Sequence, residues 1–341
     1  MNFVNKRESG KSFLNFLLLA LIIAVGIFIC YNYFFAGTKS NNSTDLAQYE
    51  QDYPDYKKYY YSQLSADGKF IYYTIINNID TIKEGNQIIR IDLNSPNGSD
   101  AFQNAWDAIT LDKPELFYID SNGLVLETHS TGNLLGQTSY FYYLKPNSNS
   151  STYLHKPWSS KLDVDQAISQ VENIANEIVS NAKKYNKRYD QIKYIHDYIV
   201  TNVSYDSEKE NNDNIYGTLL NNKALCSGYS NTFKYLLDKL NIPNVIAYGK
   251  GLKENGRTEN HSWNYVQMND GKWYAVDCTW DDPIVIGGGT LPAKYRYMYF
   301  LKGSDTFFQS HEEDNHVSSD EKTNSITSTF FTYPTLSTTD Y

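Results

Sequence analysis

The 341-residue sequence predicts an α+β protein. Its expected core is a cysteine at the start of a helix, packed on an antiparallel sheet that carries a histidine and an aspartate. A small α+β region and one N-terminal transmembrane helix precede that core. Three observations predict this: the uncharged run Phe13–Phe35, the mixed strand and helix patterns of residues 59–158, and a hairpin pattern that sets His261 and Asp277 about one turn, downstream of Cys226. Hydrophobic residues at 41% and charged residues at 20% fit a packed chain, which excludes a disordered one. The net charge of −9 argues against nucleic acid as a partner, because phosphates are met by clustered Lys and Arg. With 3 Cys in the chain, a disulfide scaffold is excluded and each thiol needs its own account.

Phe13–Phe35 is long enough to cross a bilayer, since about 20 apolar residues suffice as a helix. Lys6, Arg7 and Lys11 precede it, whereas Asp45, Glu50 and Asp52 follow it. The positive-inside bias then puts residues 1–12 in the cytoplasm and everything after Ala36 outside, as a single-pass cell-membrane protein. A cleaved signal peptide is the alternative, but its apolar core is normally shorter and ends in small residues. This run ends instead in Tyr31, Tyr33, Phe34 and Phe35, and Ile29 is too bulky for the position before a lipid-modified Cys30. Residues 36–58, rich in Asn, Ser and Asp, read as an extracellular linker.

In residues 59–158, Phe70, Ile71, Thr74, Ile75, Ile79 and Ile82 recur at helical spacing and predict a helix over 66–83. Gln87–Leu93 alternates as a strand, and Ser99 or Asp100 caps a helix carrying Phe102, Trp106 and Ile109. Leu116–Ile119, Leu124–Thr128 and Thr138–Leu144 read as further strands, with a turn at Ser121-Asn122-Gly123. Residues 159–310 form the second region. Asp163 caps a long helix there, with Ile168, Val171, Ala175, Ile178 and Ala182 on one face. A second helix covers 189–202 and a third starts near Cys226, stopped by Pro243. Strands follow at Val245–Gly249, His261–Met268 and Lys272–Asp277, the last two joined by Asn269-Asp270-Gly271. Residues 311–341 read as a polar tail.

Cys226 carries the chemistry. At a helix start, unpaired N–H groups and the helix dipole favour a thiolate, and Gly228 lets backbone or substrate approach closely. A simple hairpin about Asn269 places His261 and Asp277 opposite each other on one face, where the carboxylate orients the imidazole. A bulge at Gly271 would shift that register by one. Nucleophile, base and orienter are then all present.

The wording ALCSGYSNTF, HSWNYV and GKWYAVDCTWDDP, with IHDYIVTNVSYD upstream, resembles the transglutaminase-like superfamily of papain-like Cys–His–Asp folds, in its membrane-anchored bacterial cell-surface form. The resemblance is close over 171–282 and weaker through YMYFL and the Ser-His pair at His311. It implies Cys226, His261 and Asp277 as catalytic residues of an acyltransferase or peptidase acting through a thioester. Tyr205 is then a candidate oxyanion donor, and Gly228, Trp263 and Trp280 are candidates for the substrate cleft. Protein or peptide amides, including cell-wall peptides, are the expected substrates. No cofactor and no metal are expected, and His196 reads as a structural contact. His311 and His316, flanking Glu312, Glu313 and Asp314, read as a solvated acidic loop. Cys278 is expected on the opposite strand face from Asp277, and a Cys226–Cys278 disulfide stays open as a minor alternative. A non-catalytic binding or organising module for wall assembly or division is the alternative function.

Overall fold

The Ser65 hydroxyl accepts from the N–H of Gly68 and starts helix α1, Ala66–Asn77. Asn78 then breaks the expected single helix, and α2 covers only Ile79–Lys83. A computed structural model describes residues 46, 49–51, 57–133, 136–253, 256–282, 292–314 and 331–341. Strand β1, Ile89–Ile91, is shorter than its alternating pattern. Helix α3, Gly98–Asp112, starts at Asn97 instead of Ser99 or Asp100. Its Gly98 N–H donates to the buried Tyr142 hydroxyl at 3.1 Å, so a tertiary contact does the work of a cap. The strand expected at Leu116–Ile119 is a 3-10 turn, Pro114–Leu116, followed by a single bridge from Ile119 to Leu154. Pro114 at the first position presets that turn. Asp120 caps another such turn at Ser121–Gly123, and β2, Leu124–Gly132, pairs with β3, Thr138–Pro146, with β1 on the other side of β3.

Ser160, not Asp163, accepts the capping hydrogen bond of α4, Lys161–Ala182. Helix α5, Arg188–Asn202, leads into β4, Ser204–Tyr205, which runs parallel to β5, Lys223–Ala224, across α6, Ile215–Asn221. Helix α7, Cys226–Lys239, follows β5 directly. The main sheet has the order β8-β7-β6-β9, all antiparallel: β6 is Asn244–Leu252, β7 Thr258–Gln267, β8 Trp273–Val276 and β9 His311–Glu313. A short helix, α8 (Ser304–Phe307), precedes β9.

Residues 59–158, read as a separate region, share one buried cluster with the rest of the described chain. Asp112 fastens them, its two carboxylate oxygens accepting from the main-chain N–H groups of Tyr60 (3.1 Å) and Tyr61 (2.9 Å). The Tyr60 hydroxyl reaches further, to the carbonyl of Ile246 on β6. The expected polar tail begins instead with a strand of the main sheet, and its far end returns to the core, where Phe331 and Leu336 are buried.

The chain divides into two units, Met1–Asn42 and Ser43–Tyr341. The first, with the run Phe13–Phe35, lies outside the described residues. Among the described residues no helix is long and apolar enough to cross a membrane.

Candidate active site

Cys226 is the first residue of α7, and Leu225 before it is extended. Two contacts hold that corner: the Leu225 N–H donates to the carbonyl of Asn212 (2.7 Å), and the Asp206 N–H to the carbonyl of Ala224 (3.0 Å). The N–H groups of Cys226, Ser227 and Gly228 have no intrahelical carbonyl to reach, as at the start of any helix. The sulfur is half-buried and unbridged, and Cys278 is also a free thiol, so the two do not form a disulfide.

Helix α7 is pinned to β7 one turn further on. Ser230 and Ser262 hydroxyls lie 3.1 Å apart, and the Asn264 side-chain amide donates to the carbonyl of Ser230 at 3.0 Å. His261 is on the same strand. The hairpin register differs from the simple one: Asn264 pairs with Val276 and Gln267 with Trp273. Gly271, at φ +79°, adds the left-handed residue of a three-residue loop and moves the partner of each β7 residue by two. A two-residue slip keeps every side chain on its face. Asp277 therefore sits diagonally from His261, just past β8, and still reaches it: His261 Nε2 donates to Asp277 Oδ2 at 2.7 Å. The other ring nitrogen, Nδ1, is not used by Asp277, and Cys226 lies near enough to His261 to help raise its imidazolium.

Burial pulls the imidazolium of His261 down, but the Asp277 charge and hydrogen bond, with Cys226, push it up to about 10. For Asp277 burial works in the opposite direction, and the two histidines beside it hold the carboxyl below the usual carboxylate range. Its Oδ1 accepts from the N–H groups of Thr279 (2.9 Å) and Trp280 (3.2 Å). The remaining donor is His311, whose Nε2 lies 3.1 Å from Oδ2.

His311 corrects the sequence reading. Far from lying in a solvated acidic loop, it is 3% exposed and stacks on Phe307, with ring centroids 4.0 Å apart. The Ser-His pair was the signal available, but spacing along the chain said nothing of a strand joining the far sheet edge. Gly228 is expected to let backbone or substrate come close, and it is backbone that does. A Cβ there would stand 2.4 Å from the Asn212 carbonyl oxygen and 2.8 Å from Thr218 Oγ1, so this glycine admits backbone and not substrate. Trp263 is buried against Phe307 and His311 and forms the wall behind the site. Trp280 is half-buried and stacks on His261 at 5.2 Å, shielding that ring, while Gly251 leaves room for the indole. Tyr205 is 43% exposed, on the strand paired with Ala224 two residues before Cys226.

The loop after Asp277 has further ties. His196 is buried, and its Nε2 lies 3.0 Å from Asp281 Oδ2; burial pushes Asp281 up to about 6 despite that contact. Asp281 also accepts from the N–H of Tyr299, and its own N–H donates to the carbonyl of Asp277. His196 thus anchors the loop that carries Asp277. Tyr229 is buried and donates its hydroxyl to Asp282 at 2.5 Å. Burial, with Asp281 and Asp277 nearby, pushes the Cys278 thiol well up.

His261, Asp277 and His311 bring their ligand atoms within 4.8 Å of one another. Their spacing is that of hydrogen bonds: a transition metal at about 2.1 Å from each donor would have to break the 2.7 Å contact. A cleft of about 480 Å³, lined by Lys250, Leu252, Phe308 and Glu312 among others, opens beside β9 and ends on His311.

Residues 172–278 match the Transglutaminase-like superfamily. No curated protein matches the chain. Among solved structures, a TGase is 19% identical with a TM-score of 0.32, over 62% of this chain and 55% of its own. The periplasmic domain of TgpA from Pseudomonas aeruginosa is 12% identical with a TM-score of 0.27, over 48% of this chain and 69% of its own. The chain thus spans about half the length of that TGase. The stretch that sets Cys226, His261 and Asp277 together lies within the residues that match the Transglutaminase-like superfamily, in a mixed α/β fold.

Proposed function

We propose that the protein is a thiol enzyme that acts on amide bonds through a Cys226 thioester. The observation that carries this is the arrangement of His261, bonded through Nε2 to Asp277 and near the helix-start Cys226, whose side chain helps raise the imidazolium. The sulfur, as thiolate, attacks the amide carbonyl, and the C–N bond breaks as the His261 imidazolium gives its proton to the leaving amine. Developing negative charge on oxygen meets the Cys226 N–H, which has no helix partner. Tyr205, exposed beside Ala224, is the candidate second donor. Water or an amine then attacks the thioester, His261 takes its proton, and the acid or new amide leaves with the thiolate restored. Hydrolysis gives a peptidase or amidase, and aminolysis a cross-linker.

The apolar run Phe13–Phe35 with its basic inner flank supports an anchored enzyme with its catalytic part outside the cell. Proteins or peptides of the cell envelope are then the substrates within reach. The test is incubation of the full chain, and of its Cys226→Ala variant, with stem peptides and with proteins bearing Gln and Lys, followed by mass spectrometry. Cleavage, deamidation or isopeptide bonds that need Cys226 are expected. Modification that persists in the variant, or none with any substrate class, overturns the reading in favour of a binding module.

A further inference from the structure

Asp277 is held on both oxygens. Thr279 and Trp280 donate to Oδ1, and His261 and His311 both donate from Nε2 to Oδ2. An ionised carboxylate only accepts, so each of those ring nitrogens carries a proton. In His311 the opposite nitrogen, Nδ1, lies 3.0 Å from the Ser310 hydroxyl, which can donate to it. His311 is fully enclosed by Phe307, Trp263 and Trp280. Burial outweighs Asp277 and keeps this imidazole below its usual value, hence neutral.

The ring reaches the site from the far sheet edge. Strand β9 lies along β6 with His311 opposite Gly251, and a Cβ at Gly249 would stand 2.0 Å from the Glu312 carbonyl oxygen. Gly249 in β6 therefore lets β9 close in, and the consequence is a second histidine on the carboxylate that orients the first.

We infer that His311 is a positioning residue, a neutral Nε2–H donor that fixes the Asp277 carboxylate and thereby the orientation of His261 toward Cys226. This rests on the thiol-enzyme reading only in taking Asp277 as the orienter of His261. Packing alone would need an aromatic ring at position 311 but no N–H. The titratable groups that face the cluster are Cys226, His261 and Asp277, with Asp281 and its partner His196 in the adjoining loop and Glu312 and Glu313 on β9.

The test compares His311→Phe, which keeps a ring, with His311→Gln, which keeps an N–H donor, in the full chain. Alkylation of Cys226 by iodoacetamide is followed against pH by mass spectrometry. Loss of one hydrogen bond to a charged group predicts about tenfold slower alkylation at neutral pH for His311→Phe, with the profile moved up by about one pH unit. His311→Gln is expected within about threefold of the parent on the same scale. A Phe variant that matches the parent, or a Gln variant no better than Phe, overturns the proposal. Should the variants not fold, nitrogen-15 spectra of the unsubstituted, histidine-labelled chain decide: a neutral Nε2–H His311 is expected, and a cation or the Nδ1–H form overturns it. If instead Cys226 of the parent reacts no faster than Cys278, the thiol-enzyme reading fails by itself, and the tautomer is still readable.

Discussion

Gly228 packs on the main-chain carbonyl of Asn212, the same carbonyl that accepts from the Leu225 N–H. One oxygen therefore sets both the turn into α7 and the closeness of its first turn to the 206–212 loop. Gly228→Ala puts a methyl group 2.4 Å from that oxygen. The expected cost is about 1–3 kcal/mol from forced backbone movement. Because the movement is at the helix start, slower Cys226 alkylation should accompany a lower Tm. An unchanged Tm would show that the loop yields freely.

Cys226→Ala should abolish turnover while leaving thermal stability near that of the parent, since the side chain is half-buried and small. His261→Ala should be nearly as inactive. The double variant should be no worse than either alone, because members of one catalytic unit are strongly non-additive. Additive losses in kcat/KM would contradict a shared thioester route.

Cys226 and Cys278 should differ sharply as thiols. Cys278 is buried and its thiol is held protonated by that burial and by the aspartates around it, whereas Cys226 is partly open and near His261. Peptide mapping after a short pulse of iodoacetamide at pH 7 should find label on Cys226 and almost none on Cys278 until the chain is unfolded. Equal labelling in the native protein would refute the difference.

Stability should follow the His261–Asp277 pair through pH in two directions. His261 is raised to about 10, so its contribution is complete below the unfolded value of about 6.5, declines above it and is gone once pH passes about 10. Asp277 is depressed, so its contribution is present above the unfolded carboxylate value of about 3.9 and is lost as pH falls through the lower folded one. The Tm difference between parent and Asp277→Asn should be largest between about pH 4 and 6.5 and shrink toward pH 10. A difference independent of pH over that span would mean that the pair is not ionised.

Asp112→Ala removes the shared acceptor of the Tyr60 and Tyr61 N–H groups and leaves two buried donors unpaired. A loss of about 1–3 kcal/mol for each is expected. Limited proteolysis should then cut near residues 57–64 before the rest of the fold, and simultaneous loss of all fragments would show that the segment is not a separable edge.

Much of the site was legible along the chain because its signals are local. Apolar residues at helical spacing and Pro243 bounded α7 with Cys226 at its start, and alternation around Asn269-Asp270-Gly271 set His261 and Asp277 on one face. Period-two alternation survives a slip of two, which is why the face was right although the register was not. Other contacts depend on surfaces meeting from distant parts of the chain, and no local pattern encodes them. His311 reaches Asp277 only because β9 closes on β6 over Gly249. Gly228 meets Asn212 only because the 206–212 loop folds back over α7, and Tyr60 meets β6 across 186 residues of sequence. Periodicity tells a side chain which way to point, and so the places of Cys226 and His261 were fixed locally; what each buried face meets is decided by packing, and that is where the second histidine came from.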